Sequence, residues 1–250
     1  MKLIALAVER ESFFTGGQRG AALLVFMLLL TMSVAAFLLS GMSQFSRQLA
    51  SPFHNASVLS QAKTALIAYA RLSDPDLSSQ TGLNHRYLPC PDQDGDGLAE
   101  SPCGTNSAEG WLPWMSLGLP PLRDASGSCL RYAVSAAYKP GASGPPLIAA
   151  LPDGDFTLNN SDGIISGAVV AVLFAPGVNV AGQSRGFAQN TATECGSTVI
   201  SSDKNLAVNY LDTLAGIDNA VFPSFISAPT VLDATTSFND NLATILSSEL

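Results

Sequence analysis

Histidine, cysteine and positive charge are all scarce in this chain, and each shortage excludes a class of function. The two histidines, His54 and His85, are not spaced as a ligand pair, and the four cysteines contain no C-x-x-C, so the usual pattern of a zinc site is missing. Lysine and arginine total 12 against 20 acidic residues, for a net charge of −8. Nucleic acid demands a basic surface, and no Lys/Arg cluster offsets the acidic excess, so a nucleic-acid partner is not expected. Charged residues make up only 13% of the chain against 47% hydrophobic ones, enough for one sizeable core within 250 residues. No internal repeat is visible.

Charge and proline are missing altogether from Ala21 to Ser40, AALLVFMLLLTMSVAAFLLS. Twenty such residues in an α-helix reach about 30 Å, the thickness of a bilayer's hydrocarbon core. The run therefore reads as a membrane span. Lys2, Arg10 and Arg19 precede it, and positive flanks favour the cytoplasm, which places the rest of the chain in a periplasm-like space. A secretory signal has a shorter apolar core and a small-x-small cleavage site, which Ser40 to Ser43 supply poorly. The alternative is cleavage after Gly20, leaving Ala21 as the new N-terminus and the helix as an anchor.

Beyond the run, Val58, Ala62, Ala65, Leu66 and Tyr69 recur at helical steps, with Asn55 or Ser57 as caps. Pro52 interrupts the pattern and predicts a bend. The expected organisation is a leader over 1–20, a transmembrane helix over 21–40, a continuation over 41–72 kinked near Pro52, and a periplasmic β-rich head over 73–250. Candidate strands are Leu130 to Ala137, Gly167 to Ala175 and Thr198 to Ser201, and the GAVVAVLFA run suits a central strand covered on both faces. The terminal FNDNLATILSSEL reads as a short helix. The expected class is α+β, a long N-terminal helix packed on a small antiparallel sheet with long loops.

In the head, CPDQDGDGLAE places Asp92, Asp94 and Asp96 at alternate positions before Gly97, the first half of a D-x-D-x-D-G calcium loop. A hard cation wants convergent oxygen ligands, and a glycine turn lets carboxylates two apart point inward. Position twelve is Cys103 rather than a bidentate glutamate, so Glu100 or Glu109 would complete the shell; the other reading is a solvated acidic turn. Cys90, Cys103, Cys129 and Cys195 permit three pairings. A short Cys90–Cys103 loop with Cys129–Cys195 is the favoured one. Trp111 and Trp114 form either an aromatic binding surface or, more in keeping with their Leu and Pro neighbours, part of the core. Gly182-Gln-Ser-Arg-Gly186 fits G-x-S-x-G, but both histidines precede Ser184, the wrong order for a hydrolase of that type, and no enzyme is expected.

The junction Gly17-Gln-Arg-Gly20 followed by AALLVFMLLL resembles the type IV pilin-like family, the pilins and type II secretion pseudopilins. LPCPDQDGDG, GWLPWMSLGLPPLRD, LRYAV, VAVLFAPG and the terminal segment are similar to pieces of one branch of these proteins. The resemblance implies processing between Gly20 and Ala21 by a prepilin peptidase, methylation of the Ala21 amine, and assembly with other pilin or pseudopilin subunits through the helix. It also implies a single-pass inner-membrane protein that assembles into a type IV pilus or a type II secretion pseudopilus. Major pilins carry glutamate at the fifth mature position, where this chain has Val25. A minor component, one that does not repeat along the filament, follows from that difference. The alternative function is a membrane-stalked binding module that depends on calcium.

Overall fold

The computed structural model describes residues 18–72, 87–140, 153–185, 195–200, 202–232 and 237–250; within the helix, side chains are described over 23–33 and 52–72. The chain divides into two compact units, Met1–Ala50 and Ser51–Leu250. In the first, helix α1 (Gln18–Leu72) begins. Its described side chains from Leu23 to Met32 are all apolar apart from Thr31, and the large ones are exposed.

Among the described residues the second unit contains the rest of α1 and ten strands, all short but β4. A six-stranded sheet has the order β1 (Ala108–Trp111), β2 (Arg131–Val134), β4 (Gly163–Ala175), β3 (Phe156–Asn160), β7 (Ser224–Ile226), with β10 (Asn241–Leu246) also on β4. β4 is the spine. Over 171–174 it pairs with β2 and β10 at once, and at Val169 it meets Phe156 of β3 and Leu246 of β10. Two-residue hairpin pairs form from β5 (Thr213–Leu214) with β6 (Ile217–Asp218) and from β8 (Val231–Leu232) with β9 (Ser237–Phe238).

Over Val169–Ala175 both faces of β4 are covered, as the apolar GAVVAVLFA run predicts, while Gly163–Ile165 is exposed. One face packs on the helix: Val58, Leu59, Ala62, Leu66 and Ala70 meet Tyr132, Val134, Ala171 and Leu173 in one core cluster. The other face holds Trp111, Phe156, Val172, Phe174 and Phe225. Leu66 is fully buried, so its truncation to alanine removes about 2–5 kcal/mol. Two disulfides, Cys90–Cys103 and Cys129–Cys195, tie loops to this body, each with Cα atoms 5.9 Å apart.

Several expectations are corrected. The α+β reading of a long N-terminal helix packed on an antiparallel sheet does not hold. What packs on the sheet is the short stretch 52–72, and the sheet is mixed, because β3 and β7 run parallel. Among the described residues no helix is long and apolar enough to cross a membrane. A transmembrane first half, and with it the single-pass inner-membrane placement with a periplasmic head, is overturned on that finding. Asn55 is no cap: it lies within α1, and its Oδ1 accepts from the Ala125 amide at 2.8 Å. The terminal segment is not a helix but strand β10 followed by a 3₁₀ turn, Ser247–Glu249. Its alternation explains this: Ala243 and Ile245 join the helix-side cluster, Leu242 and Leu246 the other. Thr198 to Ile200 form bends and a turn rather than a strand. Residues 1–17 of the leader and His85 lie outside the described residues, and Gly20 and Ala21 are described only as helix backbone. The bend expected near Pro52 falls where the two units meet.

Candidate functional site

The acidic loop is built around one buried carboxylate. Asp92 forms a two-way backbone bridge with Trp111 of β1, its N–H donating to Trp111 O at 3.0 Å and its C=O accepting from Trp111 N–H at 2.7 Å. That bridge fixes the loop to the sheet edge and points the Asp92 side chain back into the turn. Oδ1 accepts from the amides of Asp94 (3.1 Å) and Gly95 (2.5 Å), and Oδ2 from that of Gly97 (2.7 Å). Aspartates two residues apart therefore wind the chain as successive side-chain-to-backbone turns. Asp94 Oδ1 accepts from Asp96, and Asp96 Oδ1 from Leu98.

Glycine is required at Gly97. Its φ is +89°, and a Cβ there would lie 2.5 Å from the Trp114 ring. The Trp114 ring thus packs against the turn at Gly97, and the Cys90–Cys103 disulfide closes the loop at its far end.

Asp92 is fully buried. Burial pushes its carboxyl up to about 7, against the pull of the Gly97 and Gly95 amides, and the neighbouring carboxylates of Asp96 and Asp94 push the same way. No cation enters this balance. Asp92, Asp94 and Glu100 each bring one carboxylate oxygen within 4.8 Å of the others. Of the four expected ligands, the structure gathers these three; Asp96 lies outside the group. Glu100 also accepts from the Gln93 amide at 3.1 Å through Oε1. The oxygen-only donor set suits a hard divalent ion such as calcium rather than zinc.

Glu109, the other residue considered for the shell, is engaged elsewhere. Its Oε1 receives Arg131 Nε at 2.5 Å, in an ion pair whose side chains are 10% and 1% exposed. The guanidinium lies 4.4 Å over Trp111 and 5.2 Å over Tyr210, and Nη2 donates to Asn205 O at 2.9 Å. Trp111 is 2% exposed and meets Tyr210 edge to face at 4.6 Å, so it belongs to the core. The sequence reading missed this box, although a charged residue inside the apolar LRYAV run was the signal for it.

A second buried polar cluster also went unread. Asp240 Oδ2 accepts from the Asp212 amide at 2.8 Å and from Asn219 Nδ2 at 2.9 Å, while Asp212 Oδ1 accepts from Gln183 Nε2 at 2.8 Å. Burial, and then the Asp212 charge, push Asp240 up to about 8; burial also raises Asp212. Arg185 crosses the same region. Its guanidinium donates to the carbonyls of Asn209, Gly177 and Tyr210, which joins the G-x-S-x-G segment to the body. Ser184 beside it donates its own amide N–H to Asn209 Oδ1 at 3.0 Å, and His54 Nε2 lies 3.0 Å from Arg123 O. The serine and this histidine thus have separate structural partners.

Comparisons with protein-family models, with curated proteins and with solved structures find no match to this chain.

Proposed function

We propose that the chain is a non-enzymatic structural subunit of pilin or pseudopilin type, which assembles into a type IV pilus or a type II secretion pseudopilus through its N-terminal helix. The observation that carries this reading is the exposure of Leu23, Leu24, Val25, Phe26, Met27, Leu28, Leu29, Leu30 and Met32, each between 52% and 71%. These side chains surround the helix, so no single neighbouring face covers them. Covering them contributes on the order of 10 kcal/mol before the cost of association, which is enough to drive assembly with like helices. An apolar patch of this kind on a lone chain marks an interaction surface. Val25 supports a minor role, since a chain without a carboxylate there cannot neutralise a neighbour's buried amine.

Mass spectrometry of the mature protein tests the proposal. The chain begins at Ala21 after prepilin-peptidase cleavage and co-purifies with filaments at low stoichiometry. A mature chain retaining Met1 refutes the processing, and one equimolar with the major subunit refutes the minor role.

A second reading has its own support: the head binds a divalent cation of the calcium class at Asp92, Asp94 and Glu100. A fully buried carboxylate facing two others, with no basic residue among the described groups that shift it, is the arrangement a hard cation stabilises. When bound, the ion would supply charge neutralisation. The backbone amides of Asp94, Gly95 and Gly97 hold the Asp92 oxygens in place for it. The two disulfides fit an oxidising compartment for either reading.

A further inference from the structure

We infer that the head docks an extended segment of a partner polypeptide that carries a basic side chain between apolar ones. An open groove of about 440 Å³ lies beside the acidic loop, lined by Gln93, Glu100, Ser107, Glu109, Ile200 and Phe222 among others. This volume accommodates a few side chains rather than a folded body. Its lining combines two acidic residues, Glu100 and Glu109, with two exposed apolar ones, Ile200 (56% exposed) and Phe222 (41% exposed).

Charge selects the occupant. Among the described residues none that lines the groove is basic, and the chain's net charge is −8. Glu109 is already paired with Arg131, while Glu100 accepts from the Gln93 amide and shares its carboxylate group with Asp92 and Asp94. Glu100 is therefore the acceptor for an incoming lysine or arginine, whose charge takes the place of a metal ion in that group. Ile200 and Phe222 are placed to cover the apolar residues on either side of it.

The backbone selects a polypeptide over a free amine. β1 is an edge strand of the main sheet, and its Ala108 and Glu109 line the groove. Trp111 directs its N–H and C=O outward to Asp92, so by strand alternation those of Glu109 face the same side. The Glu109 carbonyl accepts from Gln93 Nε2 at 2.6 Å. By the same alternation its N–H faces away from β2, the side on which an extended segment presents a carbonyl. The surface belongs wholly to the second unit and does not depend on assembly through the helix.

The test titrates the full chain, held in a non-ionic detergent, with two fluorescent pentapeptides, acetyl-Ile-Lys-Ile-Lys-Ile-amide and its Lys-to-Glu counterpart, read by anisotropy. The lysine peptide binds at least tenfold more tightly, and added salt weakens it. Glu100→Gln reduces its affinity fivefold or more, and Ile200→Ala and Phe222→Ala each reduce it measurably while thermal melting confirms the fold. Since Phe222 precedes Pro223, Ile200→Ala keeps the test standing if Phe222→Ala fails to fold. Equal binding of the two peptides, binding of neither, or undiminished affinity in both Glu100→Gln and Ile200→Ala overturns the inference.

Discussion

Replacing Asp240 by asparagine probes the buried carboxyl cluster most directly. In the folded chain Asp240 stands at about 8, against 3.8 when unperturbed, because burial and the Asp212 charge both oppose its ionisation. The folded state thus holds a proton that the unfolded state releases. Stability falls as pH rises whenever the folded form binds more protons, so this contribution is complete below about pH 4 and is lost as pH climbs through 8. Between pH 6 and pH 9 the loss from this one group is about 3 kcal/mol. For a unit of this size that lowers the melting temperature by about 5–10 °C. Asparagine retains an oxygen to accept from the Asp212 amide and from Asn219 Nδ2, and it has no charge to set against Asp212. Thermal melts of both proteins at pH 6, 7, 8 and 9 give the answer. Asp92 adds a decline of the same sign below pH 7, but it is common to both chains and cancels in the comparison. The expected result is a steeper fall in the native chain, with the variant the more stable of the two at pH 9. Parallel curves would show that Asp240 is ionised throughout and that the reasoning is wrong.

Two further outcomes are expected. Calcium at about a hundredfold excess over its dissociation constant stabilises the head by about 2.7 kcal/mol, a rise of about 5–10 °C in melting temperature. Asp94→Asn and Glu100→Gln abolish that rise and Asp96→Asn leaves it; insensitivity to calcium and chelator alike, or equal loss in all three variants, removes the metal reading. Glu109→Ala leaves the Arg131 guanidinium buried without its counter-ion and costs about 3–5 kcal/mol in urea unfolding, while Glu109→Leu combined with Arg131→Met recovers most of it. A single-variant cost under about 1 kcal/mol would mean that solvent already reaches the pair.

The features legible in the sequence are those whose causes are local. The aspartate–glycine alternation from Asp92 to Gly97 writes its own turn geometry, since each side chain accepts from an amide two to five residues on. The run from Val169 to Ala175 is apolar on both faces wherever it sits, so its central place could be read without knowing its neighbours. The helix stripe over Val58, Ala62 and Leu66 is equally self-contained. β10 was misread because a short apolar run with mixed spacing fits a helix as well as a strand until β4 is known to lie alongside. The parallel pairing of β3 with β7 depends on segments more than sixty residues apart, and no local pattern encodes it. Asp96 fits the ligand spacing, yet the turn directs its Oδ1 to the Leu98 amide.

The buried polar residues show why composition misleads at such places and how to read it better. In a chain with so few charges, Asp212, Asp240 and Arg131 pass individually for turn or surface residues. Yet Arg131 stands between Leu130 and Tyr132, both fully or almost fully buried, and Asp240 follows Phe238 at 0% exposure by two positions. A strand that buries its neighbours on both faces carries the polar residue inward with them. The cost of an unpaired buried charge or polar group then requires a partner, which lies on another segment: Glu109, 22 residues away, for the charged Arg131, and Asn219, 21 residues away, for the carboxyl of Asp240. An isolated charge in an apolar run is therefore a long-range contact announced from one side. Its partner is sought among the acidic or amide residues of other short apolar runs, and Glu109 in AEGW is where that search ends for Arg131.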